Sequence, residues 1–323
     1  EDPDNLGLLE ELASYHFSFG NVEEAVDLYN RLLDEAPYTI DFWHNLIRCY
    51  LRMYKPEKAM EAIDFAMAID DTNLITWELK SNALLLENEI DKAMECLFYI
   101  EKHTTEKPYI QNIIMSIYFF MQNYQKVLEY ADKITTSNNL ANFEMASLYH
   151  KKGYSRLQLG DLQACEEDIE QGLAYDNHNS DLYLLKGELE LINGRMEEAQ
   201  QSFHYGRLFA EDEADSLSYI GNAYFRHECW QQALNYFKEQ EELASETMHV
   251  HYYQIAYCYY QLGLQDEMFT YLVRGAIFSS ELLKMEGQNN SPFSQGVQFL
   301  EQAKDVFTKI ENGEINPMKY LQS

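Results

Sequence analysis

Residues Tyr183–Phe203 read YLLKGELELINGRMEEAQQSF. Five positions in this stretch form a pattern: large Tyr183, small Gly187, turn-forming Gly194, small Ala199 and large Phe203. Thirty-four residues later the chain reads Leu217, Gly221, Glu228, Ala233 and Phe237. Thirty-four residues earlier it reads Tyr149, Gly153, Gly160, Cys165 and Ile169. Towards the start the same ladder recurs as Leu9, Ala13, Gly20, Ala25, Tyr29, then Trp43, Ile47, Tyr54, Ala59, Ile63, then Trp77, Ser81, Asn88, Ala93, Leu97. A weaker copy is Gln111, Met115, Gln122, Val127, Ala131, and the last is Tyr252, Ala256, Gly263, Met268, Leu272.

Repeats therefore begin near residues 6, 40, 74, 108, 146, 180, 214 and 249. The one long interval, 108 to 146, implies a four-residue insertion around Ser137–Phe143. Within each repeat, apolar or small residues recur at three- and four-residue steps, which predicts two short helices. Pairs such as Gly20-Asn21, Gly160-Asp161, Gly194-Arg195 and Gly263-Leu264 mark the turn between them. The small columns let two antiparallel helices approach closely. Trp43, Trp77, Tyr149, Tyr183, Phe203 and Phe237 then fill the space beside them.

This ladder resembles the tetratricopeptide repeat, a helix–turn–helix unit of 34 residues. The likeness covers residues 6–282 and is that of a bacterial-type array of about eight repeats. It implies an all-α fold, a right-handed α-solenoid of helix–turn–helix units. Residues 283–323 are expected to form a loop, over Met285–Pro292, and a capping helix. That helix is predicted from Ser294 to Glu311, with Val297, Leu300, Ala303, Phe307 and Ile310 on its apolar face. A terminal repeat otherwise leaves core surface in water; a mobile lid over the groove is the alternative role. At the other end, Pro3 lies 34 residues before Pro37, in the closing position of a repeat. Residues 1–5 thus read as the tail of a preceding repeat, and the chain as part of a longer array or as beginning at a processing site.

Composition narrows the function. The 323 residues carry 54 acidic and 24 basic side chains, a net charge of −30. Nucleic-acid binding needs Lys and Arg to replace phosphate counterions, and anionic membranes attract basic segments, so neither partner is expected. A basic partner is favoured, in a manner that salt would weaken. With 46% hydrophobic residues the chain can build a core, and 14 Gly and 6 Pro disfavour a turn-rich β fold. Five widely spaced cysteines argue for free thiols in a reducing, cytoplasmic compartment. The most apolar stretch, Ile113–Met121, is far shorter than the ~18–20 residues that span a bilayer.

No motif for catalysis is found. GxGxxG, GxxxxGK[ST], HExxH, GxSxG and EF-hand loops are missing from the sequence. Gly153-Tyr154-Ser155-Arg156-Leu157 starts like a nucleophile elbow but lacks the final glycine and falls within a predicted helix. His249 with His251, and His227 with Cys229, resemble a metal set. The first pair opens a first helix and the second follows the first helix of the preceding repeat; a first helix is roughly 21 Å long, so its start and its following turn are far apart, which separates the clusters. Acidic runs such as Glu166-Glu167-Asp168 and Glu197-Glu198 suit helix starts and solvent. The chain is therefore read as a non-enzyme with no cofactor and no metal.

The resemblance implies that first helices line a concave groove that takes a peptide or partner helix. Candidate groove residues are His44, Arg48, Arg52, Asn82, Asn112, Ser116, His150, Tyr154, Asn222, Tyr253 and Tyr257. The members of each repeat's set step by about one helical turn and share a face. Asn82 and Asn222 occupy one column, where a carboxamide can both donate to and accept from a ligand's main chain. His44, Arg48 and Arg52 form the one local basic patch and a candidate anion site. Glu78, Glu188, Asp41, Asp181 and Asp215 are placed on the same side, so no carboxylate clamp is assigned. The function read from sequence is an interaction scaffold for a protein or peptide of undefined identity. The alternative is a sensor whose groove and C-terminal segment respond to a peptide or small molecule. Oligomeric state is left open.

Overall fold

The computed structural model describes residues 5–135, 140–243, 251–278 and 297–320. Every regular element among them is helical. The chain forms two compact bodies, residues 1–139 and 140–323.

In the N-terminal body, α1 (Leu6–Ser18) pairs with α2 (Val22–Glu35), and α3 (Ile40–Arg52) with α4 (Pro56–Ile69). Then α5 (Leu74–Leu86) pairs with α6 (Ile90–His103), and α7 (Lys107–Phe120) with α8 (Tyr124–Thr135). The C-terminal body holds α9 (Asn142–Gln158) with α10 (Leu162–Tyr175), and α11 (Ser180–Ile192) with α12 (Met196–Phe209). It continues with α13 (Glu213–Arg226) and α14 (Trp230–Leu243), then α15 (Tyr252–Gln261) and α16 (Gln265–Phe278). A final helix, α17 (Val297–Glu311), and a 3-10 turn at Pro317–Tyr320 both pack on α16. Part of the stretch around Ser137–Phe143, the loop Met285–Pro292, Ser294, His249 and residues 1–4 lie outside the described residues.

One column of the ladder accounts for the turn inside each pair. Gly20, Tyr54, Asn88, Gln122, Gly160, Gly194, Glu228 and Gly263 all take positive φ, from +53° to +86°. This left-handed residue lets the next N–H reach back to a carbonyl left open at the helix end. Thus Asn21 N donates to His16 O, Lys55 N to Tyr50 O and Glu89 N to Leu84 O, each at 2.9 Å. Glycine meets this geometry without strain, whereas Tyr54, Asn88, Gln122 and Glu228 adopt it against their Cβ.

The small columns sit where helices touch. Ala25, Ala59, Ala93, Ala199 and Ala233 are all completely buried. A Cβ on Gly187 would lie 2.5 Å from the Phe203 ring, and one on Gly221 would lie 2.6 Å from Phe237. The large residues divide into two kinds. Phe203 and Phe237 are fully buried between helices. The half-buried first-helix aromatics instead stack on the second helix of their own pair, Trp43 on Phe65 (4.7 Å) and Trp77 on Tyr99 (4.2 Å). Their indole N–H groups also tie down the preceding loop, with Trp43 Nε1 donating to Pro37 O (2.8 Å) and Trp77 Nε1 to Asp71 O (2.7 Å).

On α17, Phe299, Ala303 and Val306 are buried in the core of the C-terminal body, and Ile310 packs at its edge. Of the stripe read in sequence, Ala303 is buried, Ile310 packs at the edge and Phe307 is half-buried, while the side chains of Val297 and Leu300 lie outside the described residues. Nearby, Arg274 Nε donates to Tyr320 O (3.0 Å), fastening the 3-10 turn to α16.

Candidate functional site

The first helices place the candidate residues in three settings. In the first setting, a neighbouring helix covers the leading position of a set. His44 is 2% exposed, and its Nε2 lies 2.8 Å from Thr76 Oγ1 on α5. Ser218 on α13 meets His251 Nε2 in the same way at 2.7 Å. Tyr253 is buried against α16, where its ring fills the space beside Gly275. Neither His44 nor Tyr253 is open to a partner, because the next helix or the paired helix covers it. Burial pushes the His44 imidazole below its ordinary pKa; Arg48 adds to this and Asp41 opposes it.

The second setting is a pair of clefts in the N-terminal body. The smaller, about 250 Å³, is lined by Phe17, Arg48, Leu51, Ile75, Glu78, Leu79 and Asn82. Arg48 reaches Asn45 Oδ1 (2.8 Å), while Arg52 donates to Phe17 O (2.6 Å) and sits over the Phe17 ring. Arg48 and Asn82 thus line one cleft with Glu78, Arg52 lies beside it on Phe17, and His44 is withdrawn from the patch. The larger cleft, about 470 Å³, is walled by Leu85, Ile90, Ile113, Ile117 and Phe120, with Asn88, Asn112 and Ser116 supplying its polar atoms. Asn112 Oδ1 is buried and has no hydrogen-bond partner among the described residues. Ser116 Oγ donates to Asn112 O (2.9 Å). Asn112 lines the hollow, and its Oδ1 can take an N–H from a ligand there once the carboxamide turns towards it.

The third setting is ionic, in the C-terminal body. Glu188 is 3% exposed and accepts from Arg226 Nη2 (2.7 Å) and Tyr219 OH (2.7 Å). It is thus part of a buried network, not a solvated groove acid. Asn222 Nδ2 donates to Ser218 O (2.8 Å), and Tyr154 lies 6.3 Å from the His150 ring. Burial lowers the pKa of both His150 and Lys151, and Asp181 opposes it in each case. Tyr257 is 5% exposed, flanked by Phe225 (5.6 Å), Trp230 (5.5 Å) and Phe299 of α17 (5.1 Å). This covering helix removes Tyr257 from the accessible face. A cleft of about 520 Å³ is lined by Asp176, Asp181, Glu211, Asp212 and Asp215, with His178 and Tyr219. Two of these carboxylates already accept main-chain N–H groups, Asp176 from His178 and Asp212 from Ala214.

Among the described residues no group of three or more His, Cys, Asp or Glu is placed to hold a metal. Cys229 Sγ reaches only the His227 carbonyl (3.5 Å). No described helix is long and apolar enough to cross a membrane.

Tetratricopeptide-repeat family models match residues 6–49 and 150–203, which fall within the helix pairs above. The chain carries tetratricopeptide repeats. A TPR repeat-containing protein of Methanocaldococcus jannaschii is 23% identical over 276 residues, covering 80% of this chain and 43% of its own length. The chain thus spans less than half of that curated relative. A tetratricopeptide repeat protein from Parabacteroides merdae superposes with a TM-score of 0.60 at 15% identity, over 81% of this chain and 98% of that one. The crystal structure of the APC/C hetero-tetramer Cut9-Hcn1 gives a TM-score of 0.56 at 14% identity, over 95% of this chain and 56% of that one. At such identities these structures establish the fold. With an archaeal relative beside a bacterial one, they do not single out a bacterial-type array. Tetratricopeptide-repeat proteins generally mediate protein–protein interaction, and their fold is typically a non-catalytic scaffold.

Proposed function

We propose that this tetratricopeptide-repeat protein is a non-catalytic scaffold that holds an extended peptide or partner helix on the first-helix face of its N-terminal body. The observation that carries this reading is the Leu85–Phe120 cleft beside the unpartnered Asn112 Oδ1. An apolar side chain of the partner fills the cleft, and the Asn112 carboxamide turns to accept a neighbouring main-chain N–H. Burying one such side chain contributes about 1.5–3 kcal/mol, and the hydrogen bond about 1 kcal/mol. One cleft is too weak alone, so the partner continues to Asn82, Arg48 and Arg52. The repeats proposed to build the scaffold run over residues 6–282, with residues 283–323 as the C-terminal closing segment. Free cysteines, four of them buried, support a reducing, cytoplasmic setting.

The test is affinity capture from native lysate with the wild-type chain and an Asn82→Ala/Asn112→Ala/Phe120→Ala variant, matched by circular dichroism. A protein held by the first and lost by the second supports the reading, and purified partner should bind Asn112→Ala about fivefold more weakly. Equal capture by both removes the cleft from the function. Capture by neither, with a thermal shift from a small molecule, moves the function to sensing.

A further inference from the structure

His44 and Thr76 meet in the joint between α3 and α5, and both are buried, at 2% and 0% exposure. His44 Nε2 lies 2.8 Å from Thr76 Oγ1. The same two positions meet again between α13 and α15 with the residue types exchanged, Ser218 Oγ lying 2.7 Å from His251 Nε2. At the other joints within each body an apolar residue fills one of the two positions: Phe42, Ile110, Leu182 or Leu184, all buried. A polar pair in an otherwise apolar seam is tolerated only while its own hydrogen bond satisfies it. The two polar joints differ in exposure. His251 is half-buried, so water can solvate a charge there, whereas the His44 ring has no such outlet.

The surroundings of His44 do not compensate an added charge. Asp41 Oδ1 lies 3.9 Å from Nδ1, but that carboxylate is 76% exposed and therefore screened. Arg48, one turn further along α3, repels an imidazolium. Among the described residues no charged group of α2, α4 or α5 acts on the ring; α5 offers the Thr76 hydroxyl. Burial, with Arg48 adding to it, holds the imidazole below its ordinary pKa. We propose that the His44–Thr76 contact is an acid-released joint, closed while the imidazole is neutral and loosened when a proton binds. The smaller cleft moves with it, because Arg48 and Leu51 stand on α3 while Ile75, Leu79 and Asn82 stand on α5.

The test is hydrogen exchange of the full chain, normalised at each pH to the unfolded chain. Between about pH 7.5 and about pH 5.5, protection in residues 40–52 and 74–86 should fall by at least about threefold. Helices α7 and α8, which carry no histidine, should keep theirs. His44→Gln, whose carboxamide can still donate to Thr76 but takes no proton, should match the wild type near pH 7.5 and lose the dependence. In the unaltered chain, a carbon-13-labelled His44 ring followed by NMR should titrate below about 6.5, a reading that stands even where the variant folds poorly. The same loss in His44→Gln, an equal loss across α7 and α8, or a His44 ring that titrates at or above about 6.5 overturns the proposal.

Discussion

Replacing Gly187 with alanine sets two opposing effects against each other. In an isolated helix the change would stabilise by about 1 kcal/mol, since glycine is the poorer helix former. Here the added methyl would stand 2.5 Å and 2.6 Å from two Phe203 ring atoms. Ordinary carbon contacts begin near ~3.5 Å, so the ring must retreat by about 1 Å. Phe203 is fully buried and meets Tyr224 edge-on at 5.3 Å, which leaves little room to retreat. Overpacking of this kind costs about 1–3 kcal/mol, more where backbones are forced apart. With Phe203 fully enclosed the cost falls in the upper half of that range, about 2–3 kcal/mol, so the net expectation is destabilisation by about 1–2 kcal/mol. Urea unfolding followed by circular dichroism should show it, with faster hydrogen exchange across α11 and α12. Adding Phe203→Leu should relieve the clash, giving a favourable coupling of at least about 1 kcal/mol in a double-mutant cycle. If Gly187→Ala is neutral or stabilising, or if the two changes simply add, the small column is not a contact column and the packing argument fails.

Three further outcomes follow from the same structure. Tyr54→Gly should stabilise by about 1 kcal/mol in urea, because its φ of +53° burdens a side chain where Gly20 carries none. Stability should fall with acid below about pH 6.5. His44, His150 and His227 have pKa values lowered by burial, so the unfolded chain takes protons there that the folded chain refuses. That loss is absent above pH 6.5, and His44→Gln should shallow the slope of the thermal midpoint against pH. Maleimide labelling read by mass spectrometry should modify half-buried Cys229 first. Cys49, Cys165 and Cys258, buried with thiols pushed up to about 12, should react only on unfolding.

The helix pairs were legible in the sequence because a close helix contact admits only a small residue, and the reversal after it requires a left-handed one. Both requirements return every 34 residues at positions such as Gly187 and Gly194. The groove was harder to read. Helical periodicity says which residues share a face, and it is silent on what lies over that face. His44 shares a face with Arg48, yet a hydrogen bond to Thr76, 32 residues on, takes it into the seam. Reading His44 and Thr76 as one column against the next would have exposed the pairing, as would Ser218 with His251. Tyr257 could not be placed from its own repeat, because Phe299, which meets its ring, belongs to a helix outside the repeat pattern. The Leu85–Phe120 cleft depends on how two successive repeats splay, which no single repeat encodes.

The indole tethers of Trp43 and Trp77 make two neighbouring repeats optically distinguishable without any added label. Each ring is clamped between its own second helix and the loop before it, so its emission should change when that one joint loosens. The third tryptophan, Trp230, sits in the other body beside Tyr257. Single-tryptophan versions of the chain would therefore report fraying joint by joint, and show whether an occupied cleft stiffens only the repeats that line it.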